Sequence, residues 1–170
     1  KMASVYGADY DAEPEITITA GATQAVCTAI NAFAGPGDEV IVFEPAFDSY
    51  VPGIRLAGAT PVLIRLAAPH FLPDWDAVAR CITPRTRLII SNTPHNPTGA
   101  AWTLDDQRRL AALCDGRDIV VISDEVYEHI VFDGRAHASA ARLPELAART
   151  VLVSSFGKTF HVTGWKVGTV

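Results

Sequence analysis

Ile119-Val120-Val121-Ile122-Ser123-Asp124-Glu125-Val126-Tyr127 passes from four consecutive apolar residues to a hydroxyl, two carboxylates and a phenol. An apolar run of this kind, rich in β-branched residues, suits a strand inside a sheet covered on both faces. Asp124 then falls at the end of a buried strand. A carboxylate there needs a cationic or hydrogen-bonding partner, because burying it alone is costly. Capping a following helix is the plainer role, since Asp is a favoured cap. Tyr127 points to the same side as Asp124 if a helical turn begins here.

Beside the strand Ile119–Asp124, strands are expected at Glu15–Thr19, Glu39–Phe43, Thr60–Leu66, Arg87–Ser91, Val151–Ser155 and Lys166–Val170. Helix-like segments separate them. Ala22 to Ala34 is mostly apolar and closes with Gly35-Pro36-Gly37, a strong stop. In Thr103–Cys114, Thr103 and Asp106 have the spacing of a capping box. Leu110, Leu113 and Cys114 form its inner face, and Gly116 ends it. Alternation of strand and helix argues for an α/β domain with a mainly parallel sheet. Ligands in such sheets sit beyond the carboxyl ends of the strands.

Three more strand ends run into sequence with chemical potential. Ser91-Asn92-Thr93-Pro94-His95-Asn96-Pro97-Thr98-Gly99 holds two prolines and a glycine in nine residues, which fix the backbone; alone it reads as a rigid turn. Val153-Ser154-Ser155-Phe156-Gly157-Lys158 offers hydroxyls and backbone N–H groups to an anion, with a lysine directly behind them. A lone lysine is most often solvated surface. Held among small residues at a strand end, it is a better candidate for imine chemistry. In Thr17-Ile18-Thr19-Ala20-Gly21-Ala22-Thr23, a strand gives way to Gly21 and a helix start, whose free N–H groups suit a phosphate.

The chain has 170 residues, enough for one domain with a real core. Net charge is −5 and no run of lysine or arginine occurs, which argues against nucleic acid or an anionic membrane as a partner. No apolar stretch approaches the roughly 20 residues needed to span a bilayer. Cys27, Cys81 and Cys114 are scattered and odd in number, so reduced thiols and a cytoplasmic setting are expected, with no metal site. The chain ends at Val170 inside an apolar, β-prone run and reads as a fragment of a longer protein.

Taken in order and spacing, these segments resemble the fold-type I, pyridoxal 5′-phosphate (PLP)-dependent aminotransferases of class I/II. The lysine block Ser154-Ser155-Phe156-Gly157-Lys158-Thr159 and Asn96-Pro97-Thr98-Gly99 carry most of the resemblance. Pro69-His70-Phe71, Thr93-Pro94-His95 and Ser123-Asp124-Glu125-Val126-Tyr127-Glu128-His129-Ile130 bring it nearest to the bacterial methionine and the kynurenine (glutamine-type) aminotransferases.

The resemblance implies a three-layer large domain, occupying residues 1–170 and incomplete, that lacks the C-terminal small domain. It also implies roles. Lys158 would hold PLP through an imine and later carry a proton, Asp124 would pair with the pyridine nitrogen, and Tyr127 and Asn96 would bond the phenolic oxygen. Phe47 would stack on the ring, although a plain core aromatic is nearly as good a reading from sequence. Gly21, Ala22, Thr23, Ser155 and Lys166 would hold the phosphate. His129 is expected to pack on a short helix, and Asp11, Glu13 and Glu15 to form solvated surface.

By the same resemblance the substrates would be an amino acid of the methionine, aromatic, kynurenine or glutamine class and a 2-oxoacid, and the full-length protein a homodimer. The isolated fragment is expected to be inactive. A PLP-dependent carbon–sulfur β-lyase and the aminotransferase-like sensor domain of a transcription regulator are the alternatives.

Overall fold

The computed structural model describes residues 1–170. Along the chain follow β1 (Ile18–Thr19), α1 (Ala22–Phe33), β2 (Glu39–Glu44), α2 (Tyr50–Leu56), β3 (Thr60–Arg65), α3 (Trp75–Cys81) and β4 (Thr86–Asn92). Then come α4 (Leu104–Cys114), β5 (Val120–Asp124), α5 (Pro144–Ala147), β6 (Thr150–Ser155), α6 (Phe156–Thr159) and β7 (Gly168–Thr169). The seven strands form one sheet in the order β1-β7-β6-β5-β4-β2-β3. Pairs β3–β2, β2–β4, β4–β5 and β5–β6 are parallel, while β6–β7 and β7–β1 are antiparallel.

Period-two alternation in the apolar strands produces the layers. Ile41, Phe43, Ile89 and Val121 point to one face, where Trp75 and Val78 of α3, Leu110, Ala111 and Cys114 of α4, and Leu146 of α5 cover them. Val40, Val42, Leu88, Ile90, Ile122 and Val153 point to the other, against Ala25, Val26, Ala29 and Ile30 of α1 and Tyr50 and Ile54 of α2. Helices on both faces of a mainly parallel sheet are the expected three-layer α/β arrangement. No helix is long and apolar enough to cross a membrane.

The ends of α4 are those anticipated. Thr103 accepts from Asp106 N–H and the Asp106 carboxylate accepts from Thr103 N–H at 2.8 Å, a complete capping box. Four helices were not expected from the sequence: α2, α3 and the four-residue α5 and α6. α2 contains Pro52 and Gly53, poor residues for a helix interior, but Pro52 falls in the first turn where its missing N–H has no intrahelical partner to lose. α3 is only seven residues long, capped by Asp74, which accepts from the N–H groups of Asp76 and Ala77.

The first and last strands, β1 and β7, are shorter than expected. Residues 11–15 fold back on themselves, with Glu15 N–H on the Asp11 carbonyl and Asp11 N–H on the Glu15 carboxylate, so only Ile18–Thr19 remains extended. Lys166 adopts a left-handed conformation (φ 54°), which delays β7 to Gly168. His129 is exposed in a hydrogen-bonded turn rather than packed on a short helix, while Asp11, Glu13 and Glu15 are exposed.

Candidate active site

Parallel strands β4, β5 and β6 end side by side at Asn92, Asp124 and Ser155, and a cavity of about 400 Å³ opens beyond them. This volume lies in the range of small-molecule sites, roughly 300–1,000 Å³. Its walls include Gly21, Ala22 and Thr23 from the start of α1, Phe47 from the β2–α2 loop, and Asn96 from the Pro-rich loop after β4. Asp124 ends β5 and Tyr127 follows it, while Ser155 ends β6 and Lys158 and Lys166 come from the segment beyond. All ten residues singled out from sequence thus meet around one space.

Asp124 is 5% exposed. Its Oδ2 accepts from the Tyr50 hydroxyl at 2.5 Å and its Oδ1 from Val126 N–H at 3.2 Å. Burial pushes the carboxyl up to about 6 from an ordinary 3.8. The hydrogen bonds from Tyr50 and Val126 pull it down, and the Glu125 charge adds to the rise. Burial likewise raises Tyr50 well above an ordinary phenol, with Asp124 adding to it. Two donors hold the carboxylate, and a cationic N–H in the cavity would offset the remaining cost of its burial.

Neither Tyr50 nor Asn92 was singled out from sequence. Tyr50 opens α2 and meets Phe47 edge to face at 5.7 Å and 73°, so one residue braces both the carboxylate and the ring over the cavity. The spacing Phe47…Tyr50, one helical turn, was the available signal. Asn92 pairs with Asp124 in the sheet register. Its Nδ2 donates to the Asp124 carbonyl at 2.9 Å and its Oδ1 accepts from Asn96 N–H at 2.8 Å, tying the Pro-rich loop to β5. His95 faces into that loop, its Nδ1 2.7 Å from Thr98 Oγ1, and burial lowers its pKa.

The amine of Lys158 lies 5.8 Å from the centroid of the Tyr127 ring, with no carboxylate within ion-pairing distance. Of the two serines ahead of it, only Ser155 lines the cavity; strand alternation turns Ser154 the other way, onto Glu128.

At α1, Gly21 (φ 80°, ψ 165°) is the N-cap, no side chain caps the helix, and its first turn carries no acidic residue. The amides are thereby left to a ligand, with Lys166 packed against Gly21 beside them. Gly168 makes this approach possible. A Cβ there would stand 2.6 Å from the Gly21 carbonyl carbon and 2.7 Å from Ala22 N, both backbone atoms. Gly168→Ala is expected to destabilise the fold by about 1–3 kcal/mol. The affinity of this helix start for a phosphate-bearing ligand should fall about tenfold or more, for a loss of about 1.4 kcal/mol. Thermal melts and ligand titrations measure the two effects separately.

The family model "Aminotransferase class I and II" matches residues 1–170. The chain is 51% identical over 168 residues to the methionine aminotransferase of Escherichia coli, an alignment covering 99% of this chain and 44% of that protein. It is 44% identical over 165 residues to a probable N-succinyldiaminopimelate aminotransferase of Mycobacterium tuberculosis, covering 96% and 42%. A solved structure of YbdL from Escherichia coli, described as identifying a methionine aminotransferase function, superposes with a TM-score of 0.97 at 50% identity, covering 99% of this chain and 44% of that one. The chain therefore spans less than half the length of these relatives.

Proposed function

The chain belongs to the class I and II aminotransferases, and from that membership we propose that it is the cofactor-binding large domain of a PLP-dependent aminotransferase. The observation that carries this reading is the cavity itself. A buried carboxylate with room for one more donor and an amine free of ion pairs face the same space, beneath an aromatic ring and beside an uncapped helix start.

The residues fit the cofactor. Asp124 would receive the pyridine N–H and keep it protonated, which answers the cost of burying that carboxylate. Phe47 would cover one ring face. Asn96 and Tyr127 would hold the phenolic oxygen, and Asn96 is also placed to help hold the substrate carboxylate. The amides of Ala22 and Thr23, the Ser155 hydroxyl and the Lys166 ammonium would hold the phosphate. Lysine at position 166 supplies charge without the two-pronged geometry of arginine.

When bound, PLP supplies an aldehyde carbon for covalent attachment and a ring that accepts the electron pair released at the substrate α-carbon. Lys158 would attach through Nζ. Once displaced by the substrate amine, the same Nζ would take the α-proton and deliver it to the former aldehyde carbon next to the imine nitrogen. Tyr127 and Asn96 would meanwhile keep the phenolic oxygen in a fixed hydrogen-bonded state.

For the whole protein we propose an amino donor of the methionine, aromatic, kynurenine or glutamine class and a 2-oxoacid acceptor, acting in a cytoplasmic homodimer. Phe156, Phe160 and Trp165, exposed on the segment that carries Lys158, support a cover from the remainder of the protein or from a second subunit. The test is to incubate the intact protein with PLP, methionine and a 2-oxoacid. The new amino acid should form only when the acceptor is present. Pyruvate and ammonia released from cystathionine without an acceptor would favour a β-lyase.

A further inference from the structure

β5 and β6 run side by side until Asp124 lies opposite Val153, and Glu125 N–H closes the ladder on the Val153 carbonyl at 2.8 Å. Past that point the two backbones separate. Residues after Glu125 turn away through Glu128 N–H to the Glu125 carbonyl and Ile130 N–H to the Tyr127 carbonyl. Ser154 and Ser155 instead pair with β7. Tyr127 and Lys158 therefore stand on segments that share no backbone hydrogen bond, although both must address the same few atoms.

A side-chain bond spans the gap. Ser154 Oγ donates to Glu128 Oε1 at 2.5 Å, both residues being buried. Glu128 follows Tyr127 directly, and Ser154 lies four residues before Lys158. The Glu128 side chain is 2% exposed and does not line the cavity. It is further held by the Tyr6 hydroxyl and the Lys1 ammonium. Burial pulls its carboxyl upward, but the donors Lys1, Ser154 and Tyr6 outweigh burial and leave it below the ordinary range. The group is a charged acceptor holding three donors from two distant segments, and hydrogen bonds to charged groups are the stronger kind.

We propose that Glu128 and Ser154 form a clamp that sets the position of Tyr127 relative to Lys158, and that Glu128 is a positioning residue for the lysine's chemistry. The proposal rests on the reading of Lys158 as the cofactor lysine. A phenol donating to the cofactor's phenolic oxygen stabilises the form in which the neighbouring nitrogen has lost its proton. Loosening Tyr127 therefore raises the pH at which the bound cofactor changes colour.

The test uses the intact protein loaded with PLP and follows the pH midpoint of its visible band. Ser154→Ala removes one hydroxyl and should still fold. Its midpoint should rise by about half a pH unit, equivalent to about 0.7 kcal/mol. Glu128→Gln should shift it in the same direction, the double variant no further than the larger single one, and Ser154→Thr should restore the parent value. Tyr50, Asp124, Tyr127 and Lys166, the titratable groups sharing the cavity with Lys158, stay unchanged in all of these.

An unmoved midpoint in Ser154→Ala, or additive shifts in the double variant, would overturn the clamp. If the parent shows no band that Lys158→Ala removes, the cofactor reading has failed instead. Hydrogen exchange at the amides of Glu128 and Ile130 in the unloaded protein then decides the clamp. Faster exchange in Ser154→Ala sustains it, and unchanged exchange rejects it.

Discussion

Replacing Asp124 with asparagine should stabilise the cofactor-free protein at neutral pH and cut turnover by at least about a hundredfold. The two effects share one cause. Burial lifts the Asp124 carboxyl from 3.8 to about 6, so between those values the folded chain keeps a proton that the unfolded chain has released. Stability therefore falls as pH rises through this window and stays low above it. A shift of this size corresponds to on the order of 2–3 kcal/mol.

Asparagine has no proton to lose. The variant should match the parent below about pH 4, pull ahead as pH rises and level off above about pH 6. Its amide can still meet the Tyr50 hydroxyl and Val126 N–H, so packing is retained. What disappears is the negative charge that, on the proposed reading, would keep the pyridine nitrogen protonated. Denaturant melts of the unloaded protein across pH 4–8, together with turnover of the loaded protein, measure both. A variant less stable than the parent at pH 7 would show that Asp124 is not carried in the fold at a cost.

In the intact protein Lys158→Ala is expected to lose on the order of 10⁴-fold or more in turnover, because on the proposed reading one residue would supply both the covalent attachment and the proton carrier. Its structural effect should be small. Lys158 is exposed and has no ion-pair partner, so the unfolding free energy should stay within about 0.5 kcal/mol of the parent. PLP should still bind through Asp124 and the phosphate cradle but should leave on dialysis. Retained turnover, or cofactor that survives dialysis, would move the attachment elsewhere. A large loss of stability would give Lys158 a packing role that its exposure argues against.

The sheet was legible because its interior strands are nearly unbroken apolar runs. Val40–Phe43 and Val120–Ile122 have few ways to bury both faces except between helices. Capping chemistry at Thr103 and the stop after Phe33 set helix ends through local rules, and those ends appeared where expected. β1 and β7 were read too long because the chain turns just before each, at Asp11–Glu15 and at the left-handed Lys166, and their pairing with each other is decided over a long separation in sequence. Thr17 and Val170 exchange backbone hydrogen bonds across the chain, and no local pattern announces that.

The cavity-lining residues were legible for a different reason. Phe47, Asn96, Asp124, Tyr127 and Lys158 sit in motifs whose order resembled a known family, while their periodicity alone assigned none of them. What sequence reading did not find acts at second hand. Tyr50 steadies Asp124, Asn92 ties the loop of Asn96, Gly168 makes room for the start of α1, and Glu128 holds Ser154. Their partners Asp124, Gly21 and Ser154 lie far away in sequence, and Asn92 too is fixed by a bond to the distant Asp124 carbonyl, so local pattern alone does not assign these contacts.

The attachment point itself is the most direct thing to measure. The chain has only three lysines, Lys1, Lys158 and Lys166, and the last also lines the cavity. Borohydride reduction of the PLP-loaded protein, followed by peptide mapping, should place the pyridoxyl group on Lys158 and abolish the visible band. A label on Lys166 or Lys1, or none on any lysine, would contradict the assignment.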